Sequence, residues 1–77
     1  MEFPNITSDI NILAGKPCIK DTRISIDMIL EWLASGASIS EITKTYPVLS
    51  EESVKEAILF ASRYFQNEIY LQRKNAV

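Results

Sequence analysis

Histidine is absent from the 77-residue chain, cysteine occurs once, glycine twice and proline three times. Without histidine the usual acid–base group is missing, and with it Cys–His nucleophilic pairs and zinc clusters; a lone Cys18 closes no internal disulfide. No apolar run approaches the roughly 18 residues of a membrane-spanning helix. No basic-then-apolar leader opens the sequence, so the expected location is the cytoplasm, with no membrane contact. Repeats and low-complexity segments are lacking too. An excess of positive charge is also missing: eight Lys and Arg stand against ten Asp and Glu, net −2, with a pI of about 5.0. The basic field that draws a protein nonspecifically to nucleic acid is therefore not there.

What is present is the composition of a folded domain, 47% hydrophobic and 23% charged. The length predicts a single domain over 1–77, with an extended or β segment (5–25), a trihelical core (26–65) and a projecting helix end or tail (66–77). So short a chain buries a core that is marginal alone, which points to self-association or a partner. The −2 resides in residues 26–50, and the segments on either side are neutral. Positive charge is densest from Lys16 to Arg23, where Asp21 dilutes it.

The elements follow from periodicity and punctuation. Ile6, Ile10 and Ile12 suggest a partly alternating strand, interrupted near Ser8-Asp9. Cys18 to Ser25 reads as a short strand, a tight turn and a return, with Asp21 suited to left-handed backbone at the turn. Ser25 caps a first helix, Ile24 staples onto Ile29, and Ile26, Ile29, Leu30 and Leu33 form its apolar face. Gly36 ends it. Ser38-Ile39-Ser40-Glu41 is a capping box opening a second helix, with Ile39, Ile42 and Tyr46 inward and Pro47 as its stop. Ser50 caps a third helix with Leu49 and Val54 as staple, Glu51 and Glu52 in its first turn, and Val54, Ala57, Ile58, Ala61 and Phe65 inward. Run on to Lys74 at ~1.5 Å per residue, that helix spans about 35 Å and should project. The expected fold class is α+β, mainly α. It comprises a short N-terminal β-hairpin or extended segment, then a three-helix, helix-turn-helix-like bundle with a long C-terminal helix.

Two readings of the bundle stay open. In a DNA-binding helix-turn-helix the start of the third helix meets base edges, and here that start is Glu51, Glu52 and Ser53, with only Lys55 to offset the carboxylates. The other reading is a plain trihelical core with a capped third helix. Lys16, Lys20 and Arg23 suit phosphate contacts, with Lys55 in support. They equally suit solvated edge-strand charge, and Arg23 could pair with Asp27 or Glu31. Cys18 reads as a small buried hydrophobe. Met28, Trp32 and Leu59 lie off the main stripes, which means a wide core face or a covered surface. Phe60, Tyr64, Ile69 and Leu71 are the candidate dimer or partner surface, since they reach beyond what three short elements bury. The carboxylates form no metal or acid–base pair, so no enzyme activity, metal or cofactor is expected.

The stretch Ala14-Gly-Lys-Pro-Cys-Ile-Lys-Asp-Thr-Arg-Ile-Ser25 resembles the signature of a prokaryotic family known as domain of unknown function 433. That pattern runs approximately Gly-Gly-Lys-Pro-x-Ile-x-Gly-Thr-Arg-Ile-x. The resemblance continues through Met28 to Ser38, Tyr46-Pro47 and Leu49, covering about residues 5 to 62. Gly15, Lys16, Pro17, Ile19, Thr22, Arg23 and Ile24 match; Ala14 and Asp21 stand where the family has glycine. The family is similar in fold to helix-turn-helix domains, and its members look like antitoxins of the VapB type encoded beside a PIN-like nuclease toxin. The resemblance implies a homodimer that binds operator DNA and neutralises that nuclease. The alternative is a protein-interaction or oligomerisation module with no DNA binding.

Overall fold

Each helix begins where a serine hydroxyl finds an orphan backbone donor. The computed structural model describes the backbone of residues 3–76 and the side chains of residues 3–64. In it, helix α1 (Ile26–Ala34) is capped by Ser25, whose Oγ accepts the Met28 N–H. Helix α2 (Ile39–Thr45) carries the complete box: the Glu41 N–H donates to Ser38 Oγ at 3.1 Å, and the Ser38 N–H donates to Glu41 Oε1 at 2.8 Å. Helix α3 (Glu51–Ala76) opens on a serine version of the same reciprocity. The Ser53 N–H donates to Ser50 Oγ, and the Ser50 N–H donates to Ser53 Oγ, both at 3.0 Å. Donors that would otherwise be unsatisfied at three helix starts are thus paired by residues within one turn.

The α1 terminus shows why Gly36 is there. Its φ is 103°, and the Gly36 and Ala37 N–H groups reach back to the Leu33 and Trp32 carbonyls. This is the Schellman arrangement, which places a left-handed residue one step past the cap. Nothing lies within 4 Å of a Cβ built there, so the backbone angle, not crowding, asks for glycine.

The N-terminal part is held differently. Strand β1 (Ile6–Thr7) pairs antiparallel with β2 (Cys18–Ile19), Ile6 opposite Ile19 and Thr7 opposite Cys18. On the other side of β2, Cys18 bridges to Ser25, and the Ile19 N–H donates to the Ile24 carbonyl at 2.9 Å. The strand, turn and return expected from Cys18 to Ser25 is therefore present, and it feeds directly into α1.

The partly alternating strand suggested by Ile6, Ile10 and Ile12 stops at Thr7, at the interruption expected near Ser8-Asp9, and does not resume as a strand. Asp9 accepts the Asn11 N–H on its side chain and the Ile12 N–H on its carbonyl, which folds the chain into a turn and leaves Ile10 77% exposed. A 3-10 turn, Leu13–Gly15, follows with φ of 52°, 55° and 87° at its three residues. The Ser8 hydroxyl clamps it by donating to the Gly15 carbonyl at 2.6 Å.

The core joins all of these elements. Ile6, Ile19, Ile26, Ile29, Ile42, Leu49, Val54, Ala57 and Ala61 are buried together, and Ile29, Val54 and Ala57 are fully inaccessible. Cys18 is buried, as a small hydrophobe would be. The staple residues Ile24 with Ile29, and Leu49 with Val54, all belong to or pack on this cluster. Of the inward positions expected on α3, Phe65 lies outside the described side chains.

Tyr46 does not point inward. It is 37% exposed and stacks on Trp32, with ring centroids 4.6 Å apart and planes at 7°. As the residue closing α2 it has left helical geometry (φ −123°, ψ 81°), so helical spacing no longer predicts its direction.

Candidate functional site

Two surfaces carry the residues singled out by sequence. One is the turn between β2 and α1; the other is a groove between α1 and α3.

The turn runs Ile19-Lys20-Asp21-Thr22, closed by the Thr22 N–H donating to the Ile19 carbonyl at 3.1 Å. Asp21 occupies its third position with φ of 62°, the place where a turn of this kind usually needs glycine. The Thr22 hydroxyl donates to the Ile19 carbonyl at 2.8 Å and accepts the Ile24 N–H at 3.0 Å, fastening the turn at both ends. Cys18 Sγ lies 3.7 Å from the Thr22 carbonyl. Threonine is thus the builder of this turn. Lys20 and Arg23 flank the tip as exposed side chains, and neither has an ion-pair partner among the described residues.

The other two candidate phosphate contacts are engaged. Lys16 Nζ lies 3.2 Å from Asp27 Oδ2, and Lys55 Nζ lies 3.3 Å from Glu51 Oε1 one helical turn away. Asp27 faces back across the α1 start toward Lys16 and so does not pair with Arg23, and Arg23 makes no ion pair with Glu31 either. The Ser25 hydroxyl holds the Asp27 carboxyl below the ordinary range; the Lys16 ammonium adds to this, while slight burial opposes it.

At the start of α3, Glu51 and Glu52 are exposed, whereas Ser53 is buried and its hydroxyl donates to the Ser50 carbonyl at 2.8 Å. Ser53 therefore belongs to the helix cap and presents no group outward. What remains exposed on that first turn is acidic.

The groove, about 400 Å³, is walled by Ile26 and Leu30 of α1 and by Phe60, Ala61 and Tyr64 of α3. Pro17 and the Lys16–Asp27 pair stand at its rim. Pro17 and Phe60 also border a second hollow beside Ile6, Thr7 and Ser8, so the apolar surface continues toward β1. Tyr64 is 59% exposed, and Leu59, on another side of the helix, is 46% exposed. Phe60 is better covered than expected. The chain's own Phe3 meets it edge-to-face at 5.3 Å, and the Arg63 guanidinium lies 5.8 Å from the Phe3 ring centroid.

This cover rests on a contact that sequence spacing does not reveal. The Glu56 carboxylate accepts both the Asn5 backbone N–H (2.7 Å) and the Asn5 side-chain amide (3.1 Å), tying the N-terminal segment to α3 across 51 residues. Ile69 and Leu71 lie outside the described side chains. Among the described residues no three metal-ligating side chains cluster, and no helix is long and apolar enough to cross a membrane.

Two relatives place these features in context. A crystal structure of a DUF433 member from Anabaena variabilis ATCC 29413 is 26% identical, with a TM-score of 0.72, and the match covers 95% of this chain and 69% of that one. The uncharacterized protein y4eO of Sinorhizobium fredii (strain NBRC 101917 / NGR234) is 29% identical over 56 residues, 73% of this chain and 25% of y4eO. The chain thus spans about a quarter of that relative's length. The family model described as "Protein of unknown function (DUF433)" matches residues 6–61, which takes in the turn, both strands and, of the groove-lining residues of α3, Phe60 and Ala61 but not Tyr64, and the chain belongs to that family.

Proposed function

We propose that this domain is a protein-interaction module that self-associates through the groove between α1 and α3. The observation that carries this reading is a contrast between the start and the middle of α3. Its first turn is acidic, self-capped and tied by the Lys55–Glu51 pair, so it opposes a phosphate backbone. Its Phe60–Tyr64 turn lines an open apolar groove. Apolar surface of that kind on a small domain gains most by being covered. Replacing both Phe60 and Tyr64 with serine shifts the protein toward monomer in sizing or sedimentation experiments; an unchanged mass removes the assignment.

A second reading rests on the turn. Lys20 and Arg23 project from it without ion partners among the described residues, which suits phosphate contact and would be doubled in a dimer. On that reading the domain is a helix-turn-helix-like antitoxin that binds operator DNA as a homodimer and neutralises a PIN-like nuclease toxin. Salt separates the two: DNA held by phosphate contacts dissociates steeply as salt rises, whereas an apolar contact between copies responds little. Inhibition of a nuclease encoded next to this chain would support the antitoxin reading directly.

A further inference from the structure

Resting on the self-association reading, we infer that two copies dock with their α3 helices antiparallel, each laid along the α1–α3 groove of the other. Three observations converge on a second copy as the occupant.

The first is length. α3 has 26 residues, about 39 Å at 1.5 Å per residue, while α1 has nine and covers about 14 Å. Among the described side chains, every buried residue that α3 contributes lies at or before Ala61. The chain's own elements therefore shield the first part of α3 and leave the groove open where Tyr64 emerges.

Position is the second. The midpoint of Glu51–Ala76 falls between Arg63 and Tyr64. Two fully overlapping antiparallel helices have their two-fold axis at the midpoint, where each copy must offer the same patch to the other. The patch there is the Phe60–Tyr64 turn, whose Phe60, Ala61 and Tyr64 line the groove with Leu30 and Pro17 beside them.

Charge is the third. The first turn of α3 carries Glu51 and Glu52, and the sequence has Arg73 and Lys74 near its other end. An antiparallel pair sets the acidic start of one helix beside the basic end of its partner and opposes the two helix dipoles. A parallel pair would bring like charges and like dipole ends together.

Distances between nitroxide labels test this arrangement. Cysteines are introduced singly at the exposed positions Ser62→Cys and Glu52→Cys; native Cys18 is 1% exposed, and wild-type protein treated with label serves as its control. The expected result is a dimer by sedimentation with a shorter distance at 62 than at 52. Position 62 lies near the axis but on the outer side of the helix, so its distance is set by the width of the helix pair; at 52 the helical rise alone separates the labels by about 35 Å. Short distances at both positions would mean parallel helices, and long distances at both would mean a different face; either overturns the antiparallel arrangement while leaving self-association intact. A protein that stays monomeric at high concentration overturns this inference and the self-association reading together.

Discussion

The helical half and the N-terminal third of this domain are stabilised by different kinds of contact. Between Ser25 and Ser53 each boundary is set by residues within one turn of it: Ser25, Gly36, the Ser38–Glu41 box, Ser50 with Ser53. In the N-terminal third the strands are two residues each, too short to hold a ladder alone. Side chains take over: Ser8 on Gly15, Asp9 on Asn11, Thr22 on Ile19 and Ile24, and Glu56 from α3 on Asn5. The helical half states its own geometry, whereas the N-terminal third depends on being fastened. The family signature lies in the fastened part, which gives its Thr22 a structural purpose before any functional one.

The largest expected effect tests whether the two halves share one core. Ile29 has no exposed surface and packs with Ile6 and Ile19 as well as Val54. Ile29→Ala should cost about 2–5 kcal/mol, read as a lower urea midpoint. A loss confined to the helical signal, with the N-terminal part unaffected, would show two cores instead of one.

Next comes the fastening itself. Thr22→Val keeps the shape and removes the hydroxyl that serves two backbone groups at 2.8 and 3.0 Å, so about 1–3 kcal/mol should be lost in equilibrium unfolding. A change of a few tenths would mean that the turn holds without it, and the contrast between the halves would fail.

The capping box gives the helical counterpart. Ser38→Ala should cost about 1 kcal/mol. The same box carries a pH signature, because the Ser38 backbone N–H, and then its hydroxyl, hold the Glu41 carboxyl below its ordinary value. A carboxyl lowered by folding contributes stability above its unfolded pKa and loses it as pH falls through the folded one. That part of the stability should therefore fade below about pH 4, and Glu41→Gln should flatten the fade in acid titrations followed by circular dichroism.

Smaller still are the two positions that depart from the family glycines. Ala14 and Asp21 both have positive φ, 55° and 62°. Ala14→Gly should raise stability by about 0.5–1 kcal/mol, since left-handed backbone strains alanine, and Asp21→Gly should give less, since aspartate tolerates it better. A loss of stability on either change would show that the side chain contributes something the backbone angle does not reveal.

Arg23→Ala should have the least effect on stability, within a few tenths of a kcal/mol, because the guanidinium has no ion partner among the described residues. On the DNA reading it should weaken operator binding at an unchanged melting temperature. A marked fall in melting temperature would make Arg23 structural.

How far the sequence carried can be read from particular residues. Capping serines, Gly36, the inward faces of α1 and α3 and the left-handed turn at Asp21 were all legible, because each reports a local rule acting over a few residues. Tyr46 was misread because it closes α2 and its direction depends on Trp32. The interruption near Ser8-Asp9 was legible, because Asp9 offers the backbone a competing turn; that no strand resumes at Ile10 was not. Of the candidate site, the exposed turn at Lys20 and Arg23 was legible, whereas the pairing of Lys16 with Asp27 and the burial of Ser53 were not.

The amino-acid sequence by itself determined where helices begin and end, which faces of them are apolar, and that histidine chemistry has no place here. These depend on hydrogen bonds and side-chain spacing inside one or two turns. Tertiary structure alone decided that Glu56 ties down Asn5, that Phe3 covers Phe60, and that α1 and α3 leave a groove lined by Phe60 and Tyr64. Such contacts join residues up to 51 positions apart, and their partners are chosen by how finished elements fit together, information that no short stretch of chain contains.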